Sequence, residues 1–158
     1  MRADCTYPVD MGTSTRGARV EAQLGRLLLR STRTYLYDQL VAGVDGVDAT
    51  TYPVLSGLAR TGPTTATELA AAIGLDRTAT TRYATRLQAA GLLQRASDNQ
   101  DRRAIRLELT PAGQEAVAAM RHTLSQLFDD MLSTWKRDEA EQFVTSLERF
   151  TTMLEQRR

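Results

Sequence analysis

The chain has 158 residues, with 20 Lys and Arg against 19 Asp and Glu, one His and one Cys. That length suits one domain with helical extensions, and 42% hydrophobic with 25% charged residues exclude a wholly disordered chain. No apolar run approaches the ~20 residues of a membrane span, the N-terminal stretch lacks the apolar core of a secretory signal, and one Cys supplies neither an intramolecular disulfide nor a zinc cluster. A cytoplasmic protein without metal or cofactor is expected.

Residues 1–17 carry Pro8, two Gly and several Ser and Thr with little periodicity, and are expected to form a flexible arm containing Cys5. Residues 18 to about 42 read as one long helix, with Val20, Leu24, Leu27, Leu28, Tyr35, Leu36 and Leu40 as its apolar members. Polar Ser31 interrupts that stripe. Gly43-Val44-Asp45-Gly46 is a break. A second helix runs to about Arg60 and buries Val54, Leu55 and Leu58; either Asp48 caps it, leaving Pro53 inside its first turns, or it begins near Thr51.

Thr65-Ala66-Thr67-Glu68 fits a capping box, in which hydroxyl and carboxylate satisfy free N–H groups at a helix start. Ala66, Leu69, Ala70 and Ile73 recur at helical spacing, and Gly74 takes the left-handed conformation that ends the helix. Asp76 caps the next helix, which runs to about Ala90 and stops at Gly91. Two helices about a Gly-containing turn make a helix-turn-helix. On the second helix Thr80, Ala84 and Leu87, with Tyr83 beside them, face inward. Arg77, Thr78, Thr81, Arg82, Thr85 and Arg86 fall mostly on the other side, without a carboxylate. An ordinary solvated face mixes both signs. Cations and hydroxyls alone suit a helix that reads guanine edges, thymine methyls and phosphates.

A short strand follows from Leu92 and Leu93 to near Arg95, then a polar turn over residues 96–102, then a strand over residues 103–109. In that strand Ile105, Leu107 and Leu109 alternate with Arg106 and Glu108. Asp101, Arg102 and Arg103 lie near the hairpin tip. An Asp two residues before an Arg can hold it extended by a charge-assisted hydrogen bond, and a narrow minor groove attracts an Arg so aimed. Thr110 and Pro111 open a helix that carries Val117, Met120, Leu124, Leu127, Phe128, Met131 and Trp135 to about Lys136. Asp138 opens the last one, with Ala140, Phe143, Val144, Leu147, Phe150 and Leu154.

The small net charge hides an asymmetry. Residues 60–106 carry eight Arg against four acidic groups, whereas residues 107–158 carry six basic against nine acidic. Positive potential therefore concentrates on the helix-turn-helix and hairpin, as phosphate binding requires. The end helices also present more apolar surface than one small core covers, which predicts a homodimer, and a two-fold dimer would set two recognition helices about 34–36 Å apart on a pseudo-palindromic double-stranded DNA site.

The run TELAAAIGLDRTATTRYATRLQAAGLLQR followed by DRRAIRLELTPAG resembles the winged helix-turn-helix of the MarR family of transcription regulators. The resemblance covers nearly the whole chain after residue 18. It implies a mainly α fold with a small β-hairpin wing: a first dimerisation helix over residues 18–46, a winged DNA-binding domain over 47–110 and C-terminal dimerisation helices over 111–158. It further implies that Arg77, Thr78, Thr81, Arg82 and Arg86 meet the major groove and phosphates, that Asp101 orients Arg103 into the minor groove, and that Arg102 meets a phosphate. Thr80 stands where relatives carry an apolar residue. The family often releases DNA when a small phenolic or anionic molecule binds between the dimerisation helices and the winged domain; Tyr35, Tyr37, Tyr52 and Trp135 are candidates to line such a site. Oxidant sensing through a Cys of the first long helix, known in some relatives, has no Cys there to use.

An enzyme is disfavoured: the one His, His122, has no Cys near it and sits on the polar side of its helix, and no Gly-rich phosphate loop is present. A winged-helix module that binds proteins instead of DNA is the remaining alternative. The cationic helix face and the Asp-x-Arg tip argue against it.

Overall fold

The computed structural model describes residues 15–97 and 105–157. Backbone contacts divide the chain into two units, Met1–Leu36 and Tyr37–Arg158. Cys5 and most of the expected N-terminal arm lie outside the described residues, as do Asp101, Arg102 and Arg103.

Helix α1, Arg16–Leu28, starts two residues earlier than the sequence suggested, because the Thr15 hydroxyl accepts the Ala18 N–H at 3.2 Å. The single long helix expected to about residue 42 is two. Leu29 leaves the helical region at φ −54°, ψ 139°, and α2, Arg30–Val41, begins after it. Two causes are local. Leu27, Leu28 and Leu29 fan around the axis, so no one face serves all three. The Thr32 hydroxyl also donates to the Arg26 carbonyl at 2.9 Å, satisfying a helix-end acceptor from outside the helix.

Helix α3, Tyr52–Thr61, reconciles the two possible starts for its segment. Regular helix begins at Tyr52, with Pro53 in the first two positions, where a missing N–H costs little. Asp48 caps the turn ahead of it: its Oδ1 accepts the N–H groups of Thr50 and Thr51 at 2.9 Å each, while the Thr51 hydroxyl accepts the Asp48 N–H at 2.9 Å. The same reciprocal device opens α4, Ala66–Ile73, where Glu68 N–H donates to the Thr65 hydroxyl and Thr65 N–H to Glu68 Oε2. Gly74, at φ 69°, ends α4 in the left-handed conformation. Helix α5, Arg77–Ala89, completes the helix-turn-helix and is followed by Gly91 at φ 75°.

The sheet has three strands where the sequence showed a two-stranded hairpin. In the order β1-β3-β2, β1 is Thr64–Thr65, β2 Leu93–Ser97 and β3 Ile105–Leu109, all antiparallel. Thr64 pairs with Leu107, and Leu93 with Leu109. A two-residue strand has no alternation to detect, which is why β1 escaped. Only Leu107 of the expected apolar face on β3 is buried; Ile105 lies beyond the edge of the core and is 57% exposed.

Leu55, Leu58, Leu69, Leu87, Leu93 and Met120 are each at most 2% exposed and belong to one cluster. At ~1.5–3 kcal/mol per fully buried side chain, this cluster is the main favourable term that fixes α5 against α3 and α4. Helix α6, Pro111–Leu132, joins through Ala116, Val117 and Met120. It opens as expected, with the Thr110 hydroxyl accepting the Gly113 N–H, but ends near Leu132 rather than Lys136. There the Ser133 and Thr134 hydroxyls donate to the carbonyls of Asp130 and Met131. Helix α7, Arg137–Glu155, begins one residue before Asp138, which lies in its first turn and suits the positive end of the helix without capping it. No residue of α7 is buried. Among the described residues no helix is long and apolar enough to cross a membrane.

Candidate nucleic-acid interface

Helix α5 is positioned by three contacts on its inner side. Thr80, Ala84 and Leu87 are each 0% exposed. Thr80 fits there because its methyl packs while its hydroxyl donates to the Asp76 carbonyl at 2.9 Å, leaving no buried polar atom unpaired. Asp76 caps the helix by accepting the Ala79 N–H at 2.8 Å. Turned the other way, Arg77, Thr78, Thr81, Arg82 and Thr85 are all exposed. The structure thus brings together on one surface the α5 residues expected there.

The polar atoms of this face are arranged with some restriction. Thr81 and Thr85 donate their hydroxyl protons to the carbonyls of Arg77 and Thr81, so they offer outward methyls and lone pairs rather than spare donors. Donation therefore falls to the arginines. The Arg82 guanidinium lies 5.1 Å from the Tyr83 ring centroid and donates to the Tyr83 hydroxyl at 3.3 Å, which limits its wandering. Arg77, Thr78, Thr81 and Arg82 line a shallow concavity of about 500 Å³.

Two further residues belong to this surface, and sequence reading assigned neither of them a role there. Arg95 reaches from β2 to donate to the Thr85 hydroxyl at 2.9 Å, and with Arg77, Thr81 and Ile105 it lines a groove of about 400 Å³ between α5 and the sheet. No pattern in the neighbouring residues marks it, because its partner Thr85 is met only where the sheet returns to α5. Asp48 holds Arg86, with Nη2 donating to Oδ2 at 2.5 Å and Nη1 donating to the Thr50 hydroxyl at 3.2 Å. Thirty-eight residues separate the partners, and no local pattern announces the pair. Arg86 is thus on the expected helix but tied to the turn ahead of α3. Burial works to raise the Asp48 pKa. Hydrogen bonds from the Thr50 hydroxyl, the Arg86 guanidinium and the N–H groups of Thr51 and Thr50 outweigh it and hold the carboxyl well below the usual range.

Of the wing, Arg106 donates to the Pro63 carbonyl at 3.1 Å, tying β3 to the loop ahead of β1. Asp101, Arg102 and Arg103 are not among the described residues. Of the aromatic residues proposed to line an effector site, Tyr37 and Tyr52 pair with ring centroids 4.7 Å apart, Trp135 pairs with Phe143 at 5.3 Å, and Tyr35 is exposed. A concavity of about 360 Å³ lined by Leu58, Pro63, Glu108, Gln114, Val117 and Arg121 contains none of the four. Among the described residues, no group of three His, Cys, Asp or Glu is placed to hold a metal ion.

A family model described as "MarR family" matches residues 45–104, a range that holds α3, the helix-turn-helix and β2 and ends ahead of β3. The uncharacterized HTH-type transcriptional regulator YcgE of Bacillus subtilis is 32% identical over 133 residues, which cover 81% of this chain and 85% of that protein. The transcriptional repressor MprA of Escherichia coli is 36% identical over 84 residues, and the match spans about half the length of each chain. The crystal structure of wild-type MarR from E. coli superposes with a TM-score of 0.70 over 88% of this chain and 98% of that one, at 20% identity, a likeness of fold. These relatives are transcription regulators, not enzymes. With a helix-turn-helix, a three-stranded wing and a YcgE match over four-fifths of its length, the chain belongs to the MarR family of winged helix-turn-helix transcription regulators.

Proposed function

We propose that the chain is a homodimeric, sequence-specific DNA-binding regulator, and a repressor, that gives up its operator when a small phenolic or anionic effector binds. The observation that carries DNA binding is the exposed face of α5, with Arg77, Arg82 and three Thr free of carboxylates on a helix locked by a buried inner side. Arg77, Thr78, Thr81 and Arg82 would meet the major groove, with Arg86 beside them at the rim, where a backbone phosphate comes within reach only when Asp48 does not hold it. Arg103 would enter the flanking minor groove, aimed by Asp101, with Arg102 on phosphate.

The dimer reading is supported by α7, where Phe143, Val144, Leu147, Phe150 and Leu154 are exposed along a helix without a buried residue. Such a stripe asks for a second copy. Under this reading residues 18–46 and 111–158 form the dimerisation region, and residues 47–110 the DNA-binding region. Effector release is supported by the Tyr37–Tyr52 pair, which offers an aromatic face to a phenolic ring. The chain's likeness to the repressor MprA supports the sign of regulation.

Footprinting on the DNA upstream of the chain's own gene tests the reading. It predicts two protected major-groove segments whose centres lie about 34–36 Å apart, with protection of the A·T-rich flanks lost in Arg103→Ala. One protected segment would contradict the dimer. Protection unchanged in Arg103→Ala would remove the wing role. Absence of protection on any sequence, with a salt-independent protein partner, would favour a protein-interaction module instead.

A further inference from the structure

The Asp48–Arg86 pair bears directly on how strongly this surface attracts DNA, an inference that rests on the DNA-binding reading. Arg86 stands four residues beyond Arg82, one turn along the same side of α5, at the end of the helix where phosphates rather than base edges are within reach. Its side chain is 53% exposed and that of Asp48 45%, so the pair sits in the surface that would meet the duplex. Both terminal nitrogens of Arg86 are directed back at the turn, one to Asp48 Oδ2 and one to Thr50.

The carboxylate divides its work between its two oxygens. Oδ1 accepts from the N–H groups of Thr50 and Thr51 and from the Thr50 hydroxyl, and so builds the turn; Oδ2 takes the guanidinium. The turn needs an acceptor but not a charge. An Asn or Ser caps a helix start about as well as an Asp. The negative charge is therefore a feature separate from the fold, and what it acts on is an arginine of the recognition helix.

We propose that Asp48 sets the sequence-independent part of DNA affinity by cancelling Arg86 and holding it back from the phosphate backbone. Each Lys or Arg that neutralises a phosphate adds about 0.9 to the slope of log K against log salt, equivalent to about eightfold in affinity at 0.1 M salt. With Asp48 in place, Arg86 contributes little to that slope. Asp48→Asn keeps the Oδ1 acceptor, frees the guanidinium and adds one net positive charge.

The experiment titrates wild type, Asp48→Asn, Arg86→Ala and the double variant against operator and scrambled duplexes between 50 and 200 mM salt, with thermal melts as a check on folding. Asp48→Asn is expected to bind both duplexes more tightly and to steepen the slope by about 0.9. Arg86→Ala alone leaves the slope nearly unchanged while baring the Asp48 carboxylate, and the double variant, which has neither charge, returns to the wild-type values. A purely structural role for Asp48 would move the melting temperature and not the slope. An unchanged slope in a folded Asp48→Asn, with all four proteins binding, overturns this proposal alone. A gain that persists in the double variant overturns it too, because Asp48 would then act on DNA by direct repulsion. No binding by any of the four would overturn it together with the DNA-binding reading.

Discussion

Among the described glycines, Gly113 is the position where adding one methyl group should do most harm. A Cβ built there lies 2.0 Å from the Leu92 carbonyl oxygen and 3.0 Å from the Leu92 carbonyl carbon. Ordinary C···O contacts begin near 3.3 Å, so α6 and the residue ahead of β2 must separate by roughly 1.3 Å. That junction is held by hydrogen bonds from Thr110 N–H to the Leu92 carbonyl at 3.2 Å and from the Thr110 hydroxyl to the Gly91 carbonyl at 2.7 Å. Overpacking costs about 1–3 kcal/mol, and weakening two hydrogen bonds about 0.5–1.5 kcal/mol each. Ala is a better helix former than Gly by up to ~1 kcal/mol, which acts in the opposite direction. The net for Gly113→Ala is a loss of about 1–5 kcal/mol, or roughly 2–20 °C in melting temperature for a domain of this size. Thermal unfolding followed by circular dichroism, at fixed protomer concentration, measures it. The sign decides: an unchanged or higher melting temperature would mean that helix propensity outweighs the close approach and that the reasoning is wrong.

Other expectations are more local. Leu55→Ala opens a cavity at a fully buried site in the centre of the cluster and should lower stability by about 2–5 kcal/mol, read by urea unfolding. Thr65→Ala removes one half of the capping box and should cost about 1 kcal/mol in the same assay. Leu147→Asp with Phe150→Asp should shift the protein to monomer in sedimentation velocity while leaving its helical signal intact. Asp48 and Glu68 both have folded pKa values below their ordinary ones; for Glu68 the causes are the Thr65 N–H first, then the Thr64 and Thr65 hydroxyls. A depressed carboxylate stabilises the fold above its unfolded pKa, near 4, and that contribution is lost as pH falls through the folded value. Stability should therefore drop as pH is lowered below about 4–5, and drop less steeply in Asp48→Asn, as urea midpoints across that range would show.

What the sequence disclosed and what it hid follow one rule. Devices confined to a few neighbouring residues were legible: the Thr65–Glu68 box, the Asp76 cap with Gly74 and Gly91 as stops, Thr110-Pro111 at the start of α6, and the inward set Thr80, Ala84 and Leu87. These are short-range hydrogen bonds or one helix's periodicity. Features that need a partner far along the chain were not. Strand β1 exists because β3 is beside it, Arg95 matters because the sheet returns to α5, and Arg86 looked free until Asp48 came to it from thirty-eight residues away. The break at Leu29 was missed for a different reason: a run of three Leu reads as strong helix former, and the competing Thr32 hydroxyl bond, though local, depends on a side-chain rotamer that the sequence does not show.

The exposed face of α5 is the centre of the account, and its charge is what a salt titration reads. The chain and its Arg77→Ala/Arg82→Ala variant are titrated against duplex DNA from its own upstream region and against a scrambled duplex, at 50 and 200 mM salt. Tighter binding to the upstream duplex and steep weakening with salt are predicted, with a slope smaller in the double variant by about 0.9 for each of the two arginines that neutralises a phosphate; the loss is shared by both duplexes for any phosphate contact and larger on the upstream one for any base contact. Binding by the variant with the wild-type slope and the wild-type preference would contradict it, because the face on which every functional step rests would then not be touching DNA.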